Sequence, residues 1–210
     1  MPPEDLVLPR FAAEPPQALL PSGAWSQQLT QEFLSACLRI RSGGLGDPAE
    51  VEFYPDRTWS GRTYVPATCM TDDRELFGLV SFLPAFEDGE QPSHFAATAD
   101  WTQETAQSNP DWTIDFCDEV VGGWRGSLGE VAAMTAVWGR ALDPGASRTA
   151  KVASAELAGV VVDQCILLDG LFTLLAPDDY LGQTLEIALY DSDGRELARE
   201  SLYAEDENAA

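Results

Sequence analysis

Neighbouring carboxylates are the residues in this chain whose types and spacing could do chemistry. They occur at Asp72-Asp73, Glu87-Asp88 and Asp178-Asp179, and as Asp115 followed by Asp118-Glu119. Two carboxyl groups roughly 5–10 Å apart, one with a raised pKa, can act as acid and base in the hydrolysis of a glycosidic bond. Chance also brings carboxylates together in a chain with 35 Asp and Glu residues. The pairs therefore indicate a hydrolase only weakly, with the six tryptophans as candidate sugar platforms.

Asp115 is the most informative of these carboxylates, because it lies inside a predicted strand over residues 111–117. Successive side chains of a strand point to opposite faces. Ile114 and Phe116 should therefore share one face, and Asp115 should lie on the other. The simplest interpretation of that polar face is contact with solvent.

Other catalytic and cofactor-binding arrangements lack the residues that they require. His94 is the only histidine, and no Gly-x-Ser-x-Gly elbow accompanies it, so a Ser-His-Asp site has little support. One histidine also excludes a zinc site built from two or three histidines, and the four cysteines have no C-x-x-C spacing. No Gly-Lys-Ser/Thr phosphate loop occurs. We predict no catalytic residues, no metal and no cofactor, with carboxylate-only chemistry left open.

The charge balance excludes whole classes of partner. Twelve Lys and Arg residues stand against 35 Asp and Glu residues, which gives a formal net charge of −23. Binding to a nucleic acid requires clusters of basic side chains, and an anionic membrane repels an acidic protein. We therefore predict no nucleic-acid and no membrane partner. The chain shows no apolar run of about 18 residues and no secretory signal, which predicts a cytoplasmic location.

The acidic residues are densest in the middle of the chain. Residues 71–118 hold eleven acidic residues and a single basic one, Arg74. This imbalance predicts an acidic patch, and a basic protein surface is the candidate partner. The candidate partner-binding residues are Asp72, Asp73, Glu75, Glu87, Asp88, Glu90, Asp100, Trp101, Asp111 and Asp115.

A β-rich domain must position these side chains. Many short alternating runs separated by turn residues predict a mainly β fold, an antiparallel β-sandwich or β-barrel. The Asp-Gly turn within residues 191–195 predicts a closing hairpin. Residues 130–142 fit either a helix or a strand, and their Thr, Val and Trp content favours a strand. The predicted single domain covers residues 25–203, with a sub-boundary near residues 143–148.

The two ends of the chain differ from this domain. Six prolines within residues 1–24 predict an extended arm, and residues 204–210 predict a flexible acidic tail. Between the arm and the first strand, apolar residues at four-residue intervals predict a short helix near residues 25–38 with Ser22 as its cap. The spaced residues are Trp25, Leu29, Phe33 and Cys37.

Three functions fit these features. The first is a non-catalytic acidic β module that binds a protein partner or ligand through residues 71–118. The alternative is a carboxylate-dependent hydrolase with a carbohydrate-type cleft and tryptophan platforms. A second alternative is an acidic mimic of nucleic acid that occupies a basic groove. The missing catalytic apparatus favours the binding module.

Overall fold

The computed structural model describes most of the central chain. The predicted sub-boundary at residues 143–148 and the predicted tail at 204–210 lie outside the described residues, as does most of the predicted arm. The described residues are 16, 19–40, 50–71, 74–85, 91–125, 129–142, 149–178, 180 and 182–203.

The predicted helix is present as α1 (Gly23–Ile40) and is longer than expected at both ends. Leu29, Phe33 and Cys37 are fully buried, as their four-residue spacing predicts for the inner face of a helix. The helix starts directly after Ser22, whose carbonyl oxygen accepts a hydrogen bond from the Ser26 N–H at 3.3 Å.

The described strands form three antiparallel sheets. Sheet A contains β1 (Glu52–Phe53), β2 (Arg57–Trp59), β3 (Arg62–Met70), β4 (Glu75–Leu83), β5 (Ser93–Ala97) and β6 (Asp100–Thr102). Sheet B has the order β11-β8-β7, with β7 (Ile114–Arg125), β8 (Val131–Ala141) and β11 (Leu171–Asp178). Sheet C has the order β10-β9-β12-β13, with β9 (Val152–Leu157), β10 (Val160–Ile166), β12 (Leu185–Tyr190) and β13 (Glu196–Ser201). The mainly β, sandwich-like prediction is confirmed, and no barrel closes among the described strands.

The helix and the sheets stack as four layers with three apolar cores between them. The first core lies between α1 and sheet A and contains Phe33 and Val80. The second lies between sheets A and B and contains Tyr64 and Trp138. The third lies between sheets B and C and contains Ile187 among its aliphatic side chains. Sheet B is therefore covered on both faces.

Strand β11 shows what this central position requires of a sequence. Leu171 and Leu175 pack toward sheet A, whereas Phe172 and Leu174 pack toward sheet C. A strand that is buried on both faces reads as a continuous apolar run rather than as an alternating one. Strand β8 is similarly covered, which explains why the pattern of residues 130–142 did not identify a strand clearly.

Tight turns occur within sheet C and where the chain passes from sheet C to sheet B. The turn between β9 and β10 has positive φ angles of 50° at Ala158 and 77° at Gly159. Asp169 and Gly170 have the same signs, with φ angles of 53° and 83°. Consecutive positive φ angles are the geometry of tight hairpin turns, which explains the predictive value of Asp-Gly pairs. The hairpin predicted around residues 191–195 is also present, as β12 and β13.

Candidate functional site

A cleft of about 320 Å³ opens between sheets A and B. We call it the acidic cleft, because carboxylates from three separate parts of the chain line it. Arg140 is the only cationic side chain among its described lining residues. Its carboxylates belong to Glu50, Glu52, Glu75 and Asp115.

Strand register brings these charges together. Glu75 begins β4, and Asp115 is the second residue of β7. Asp115 lies directly opposite Arg140 in the pairing of β7 with β8, so the two side chains share a face. Ile114 packs into the core between sheets B and C, which directs Asp115 toward sheet A. The predicted alternation in β7 is confirmed, but the interpretation of the Asp115 face as a solvent face was wrong, because sheet A covers it.

Arg140 is bound on one side of the cleft. Its guanidinium group donates hydrogen bonds to both carboxylate oxygens of Glu52. It also donates to the Tyr54 hydroxyl at 2.9 Å and lies 5.8 Å from the centre of the Tyr54 ring. The hydrogen-bonding capacity of this single cation is therefore directed to Glu52 and Tyr54. Glu75 and Asp115 feel its charge only through space.

The pKa values of the remaining carboxyl groups reflect this shortage of cations. Burial raises the pKa of Glu75 from about 4.5 to about 7, the negative charges of Asp115 and Glu52 add to the rise, and Arg140 opposes it. Burial also raises the pKa of Asp115. The positive charge of Arg140 lowers this pKa, and the negative charges of Glu52 and Glu200 raise it. Glu75 therefore titrates close to neutral pH. Such a group can donate a proton, or release it when a cation enters the cleft.

The acidic cleft continues as a groove along β7. A space of about 230 Å³ next to the cleft shares Glu75 and Asp115 with it and extends to Asp118. A further space of about 250 Å³ lies beside Glu119 and Val120. Because both spaces border consecutive residues of β7, we call them together the β7 groove.

Carboxylates on sheet C provide an internal contrast. Arg199 pairs there with Glu186 at 2.8 Å and with Glu196 at 2.7 Å. It also lies 3.0 Å from Glu156, which accepts a further hydrogen bond from the Tyr190 hydroxyl at 2.7 Å. Hydrogen bonds from Arg199 lower the pKa of Glu196. The sheet C acids are thus neutralised by a partner, whereas Glu75 and Asp115 are not.

The structure brings together two of the ten predicted partner-binding residues, Glu75 and Asp115. Asp100 lies on β6, close to Glu119. Burial raises the pKa of Glu119, the hydrogen bond from Thr98 lowers it, and the negative charge of Asp100 raises it. Trp101 is 41% exposed and lies beneath the Arg74 guanidinium at 4.3 Å. Asp111 is exposed in a turn. The other five predicted residues lie outside the described residues, namely Asp72, Asp73, Glu87, Asp88 and Glu90.

Sequence reasoning missed Glu52 and Arg140. Both come from outside residues 71–118, and only the pairing of distant strands brings them to the cleft. One local signal could have identified Arg140: it is the only charged residue within the apolar strand at residues 131–141. A charge inside such a strand needs a partner or a polar cavity.

Clusters of metal-ligand residues and membrane-spanning helices are both absent from the described parts of the chain. Within them, no group of three or more His, Cys, Asp or Glu side chains could hold a metal ion. No helix among these residues is long and apolar enough to cross a membrane. Comparison with known proteins gives no relative: no family model, no curated protein and no solved structure matches this chain.

Proposed function

We propose that this protein is a non-catalytic module that binds a basic protein surface through the acidic cleft. The observation that carries the proposal is the charge imbalance of the cleft, whose described lining residues include four carboxylates and one cation, Arg140. Burial and the neighbouring carboxylates raise the pKa of Glu75 there to about 7. A carboxyl group in this state lacks a compensating cation. Binding of a cation next to Glu75 and Asp115 would favour their ionised forms and thereby gain free energy.

The cleft matches the chemistry of a lysine or arginine side chain. A volume of about 320 Å³ is sufficient for such a side chain and part of its backbone. Met70 and Leu142 also line the cleft and offer apolar surface for an aliphatic stem. Long basic side chains bury their stem in this way while the charged end meets a carboxylate. We therefore expect a basic side chain to be the anchor of the partner.

A fluorescently labelled hexalysine peptide tests this proposal. We expect wild-type protein to bind it, and the affinity to fall about tenfold between about 20 mM and about 200 mM salt, since screening weakens exposed charge pairs. The variant Glu75→Gln/Asp115→Asn should bind at least about tenfold more weakly at low salt. Fluorescence anisotropy measures both quantities.

A matched double variant controls for net charge alone. Asp169→Asn/Asp193→Asn converts two carboxylates to amides in exposed turns next to strands of sheet C. It should bind hexalysine with nearly wild-type affinity. If the two double variants lose the same amount of affinity, the peptide senses only the total charge of the protein, and the cleft proposal is wrong.

Carboxylate-dependent hydrolysis is the second candidate function. It is favoured by a carboxyl group with a pKa near 7 that shares its cleft with Asp115, and by Trp112, which lines the adjoining groove. Glu75 would act as the general acid and Asp115 as the base or nucleophile. A panel of nitrophenyl glycosides tests this reaction. Turnover that falls about a hundredfold or more in Glu75→Gln would support it, and absence of turnover across the panel would count against it.

A further inference from the structure

Strand β7 leaves part of its backbone without a partner. It is an edge strand of sheet B, and among the described strands only β8 pairs with it. The Leu142 N–H donates to the Thr113 carbonyl oxygen at 3.0 Å. This hydrogen bond fixes the phase of the ladder, that is, which alternate residues of β7 direct their backbone groups toward β8. In an antiparallel ladder of this phase, the backbone groups of Phe116, Asp118 and Val120 point away from β8. None of these outward groups is hydrogen-bonded to another described residue.

The open part of the edge has defined ends. At its start, the Glu200 carboxylate accepts hydrogen bonds from the Thr113 N–H at 2.7 Å and the Ile114 N–H at 3.0 Å. At its far end, the register shifts between Val120 and Gly122. A Cβ atom on Gly122 would lie 2.6 Å from the Trp59 ring, so the close approach of that ring requires glycine. The open edge therefore runs from residue 116 to residue 120.

Open space borders this edge. The β7 groove follows the open residues, with about 230 Å³ next to Phe116 and Asp118 and about 250 Å³ next to Val120. An unpaired edge next to an open groove is the arrangement that proteins use when they bind an extended peptide as an added strand.

Charge indicates what kind of segment would fit. The β7 groove contains one cationic side chain, Arg62, among its described lining residues. That guanidinium is already engaged, since it donates to the Ser81 hydroxyl at 2.9 Å and to the His94 carbonyl oxygen at 2.7 Å. The acidic lining residues of the groove are Glu75, Glu104, Asp115, Asp118 and Glu119.

The two faces of β7 refine this requirement. Asp115 and Glu119 share the face toward sheet A. Phe116, Asp118 and Val120 share the opposite face, and Val120 is 57% exposed. An added strand also alternates its side chains between these two faces. Basic residues at every second position would meet the carboxylates, and apolar residues between them would contact Phe116 and Val120.

We propose that the open edge of β7 binds an extended segment of a partner protein, with alternating basic and apolar residues, as an added strand of sheet B. This inference rests on the proposed function, because it names the form in which the basic partner binds. It adds main-chain hydrogen bonds to the charge contacts of the acidic cleft, and these bonds can be tested separately.

The test uses a labelled peptide, acetyl-Lys-Val-Lys-Val-Lys-Val-Lys-amide, and a second form of it that is methylated on every internal backbone nitrogen. Both forms carry the same charge, but the methylated peptide cannot donate hydrogen bonds from its internal backbone nitrogens. We expect wild-type protein to bind the unmodified peptide at least about tenfold more tightly, which corresponds to the loss of one or two net hydrogen bonds.

A proline variant tests the protein side of the same contact. Val120→Pro removes an outward N–H that has no described partner, so the fold should persist, and circular dichroism checks this. The variant should bind the unmodified peptide about tenfold more weakly than wild-type protein does. Val120→Ala keeps the N–H and should weaken binding less than about threefold. If Val120→Pro does not fold, the comparison of the two peptides on wild-type protein decides alone.

The outcomes separate this inference from the proposed function. Equal binding of both peptides, with affinity still lost in Glu75→Gln/Asp115→Asn, would overturn strand addition and leave the acidic cleft as a docking site. No binding of either peptide or of hexalysine at low salt would overturn both proposals. Preference for the unmodified peptide, lost in Val120→Pro, would support strand addition.

Discussion

The two edges of sheet B are treated in opposite ways. At the β11 edge, the Asp163 carboxylate accepts a hydrogen bond from the Leu175 N–H at 2.7 Å and pairs with Arg57 at 2.6 Å. By the same alternation, Pro177 occupies an outward position of β11, where a missing N–H costs nothing. At the β7 edge, outward backbone groups face a groove and Glu200 covers only the first two N–H groups. One edge is closed and buried, and the other is open and acidic.

This difference indicates which edge is structural and which is available for binding. Free strand edges favour association between copies, and proteins protect them with charges, bulges or coverage. The β11 edge is protected by coverage, because Arg57 from sheet A and Asp163 from sheet C meet beside it. The β7 edge has a bulge and a row of carboxylates instead. Such protection repels a second acidic copy, and in our proposal it attracts a basic strand.

The largest expected effect lies at the closed edge. Asp163→Ala leaves Arg57 without its ion-pair partner at 2% exposure, and it leaves the Leu175 N–H without an acceptor. Removal of one partner from a buried ion pair costs about 3–5 kcal/mol of unfolding free energy. Urea denaturation measures this loss. A loss below about 1 kcal/mol would mean that this ion pair does not close the β11 edge.

Loss of the cleft cation should have a smaller effect that depends on pH. Arg140→Leu removes the hydrogen bonds to Glu52 and Tyr54 and leaves Glu75 and Asp115 without their nearby positive charge. We expect the free energy of unfolding, measured by urea denaturation, to fall by about 2 kcal/mol at neutral pH. The loss should be smaller at pH about 5, where Glu75 is protonated. Arg195→Leu, in an exposed turn of sheet C, is the matched control and should change little. A loss that is independent of pH would contradict the electrostatic account of the cleft.

Substitution of Glu75 should stabilise the protein above neutral pH. The carboxyl group ionises near pH 4.5 in the unfolded chain and near 7 in the folded one. Between these values the folded state binds more protons, so the free energy of unfolding falls as the pH rises. Asp115, Glu52 and Arg140 are the charged groups that set this shift. Glu75→Gln removes this pKa shift. At pH about 8, the free energy of unfolding of the variant should exceed that of wild type by on the order of 1–2 kcal/mol, after allowance for solvent screening. Denaturant titrations across the pH range measure the gain, and a destabilised variant at pH about 8 would contradict the prediction.

The smallest effect is expected where the open edge begins. Glu200→Ala removes the acceptor of the Thr113 and Ile114 N–H groups, but water can replace it there. The cost should be about 1 kcal/mol or less. A loss as large as that of Asp163→Ala would show that the two edges are equally structural, and would remove the contrast between them.

Local patterns predicted the elements better than their arrangement. The four-residue spacing of Leu29, Phe33 and Cys37 identified the inner face of α1, because a helix repeats within a few residues. Alternation likewise placed Ile114 and Asp115 on opposite faces of β7. These features depend on neighbours in the sequence, and the sequence therefore contains them.

The acidic cleft depends on contacts that no local pattern encodes. Asp115 and Glu75 are 40 residues apart, and Glu52 and Arg140 are 88 apart. The stacking of sheets A and B brings them together, so counting charges over residues 71–118 could find two of the carboxylates but not their cation. The same stacking turned a predicted solvent face into the wall of a cleft.

Proton release on cation binding reports directly on Glu75, the carboxyl group of the acidic cleft that lacks a cationic hydrogen-bond partner. Titration calorimetry of hexalysine at pH 7, in buffers with different ionisation enthalpies, measures the number of protons released. We predict that wild-type protein releases more protons than Glu75→Gln, since Glu75 is partly protonated at that pH. Equal proton release from the two proteins, with binding intact, would contradict it.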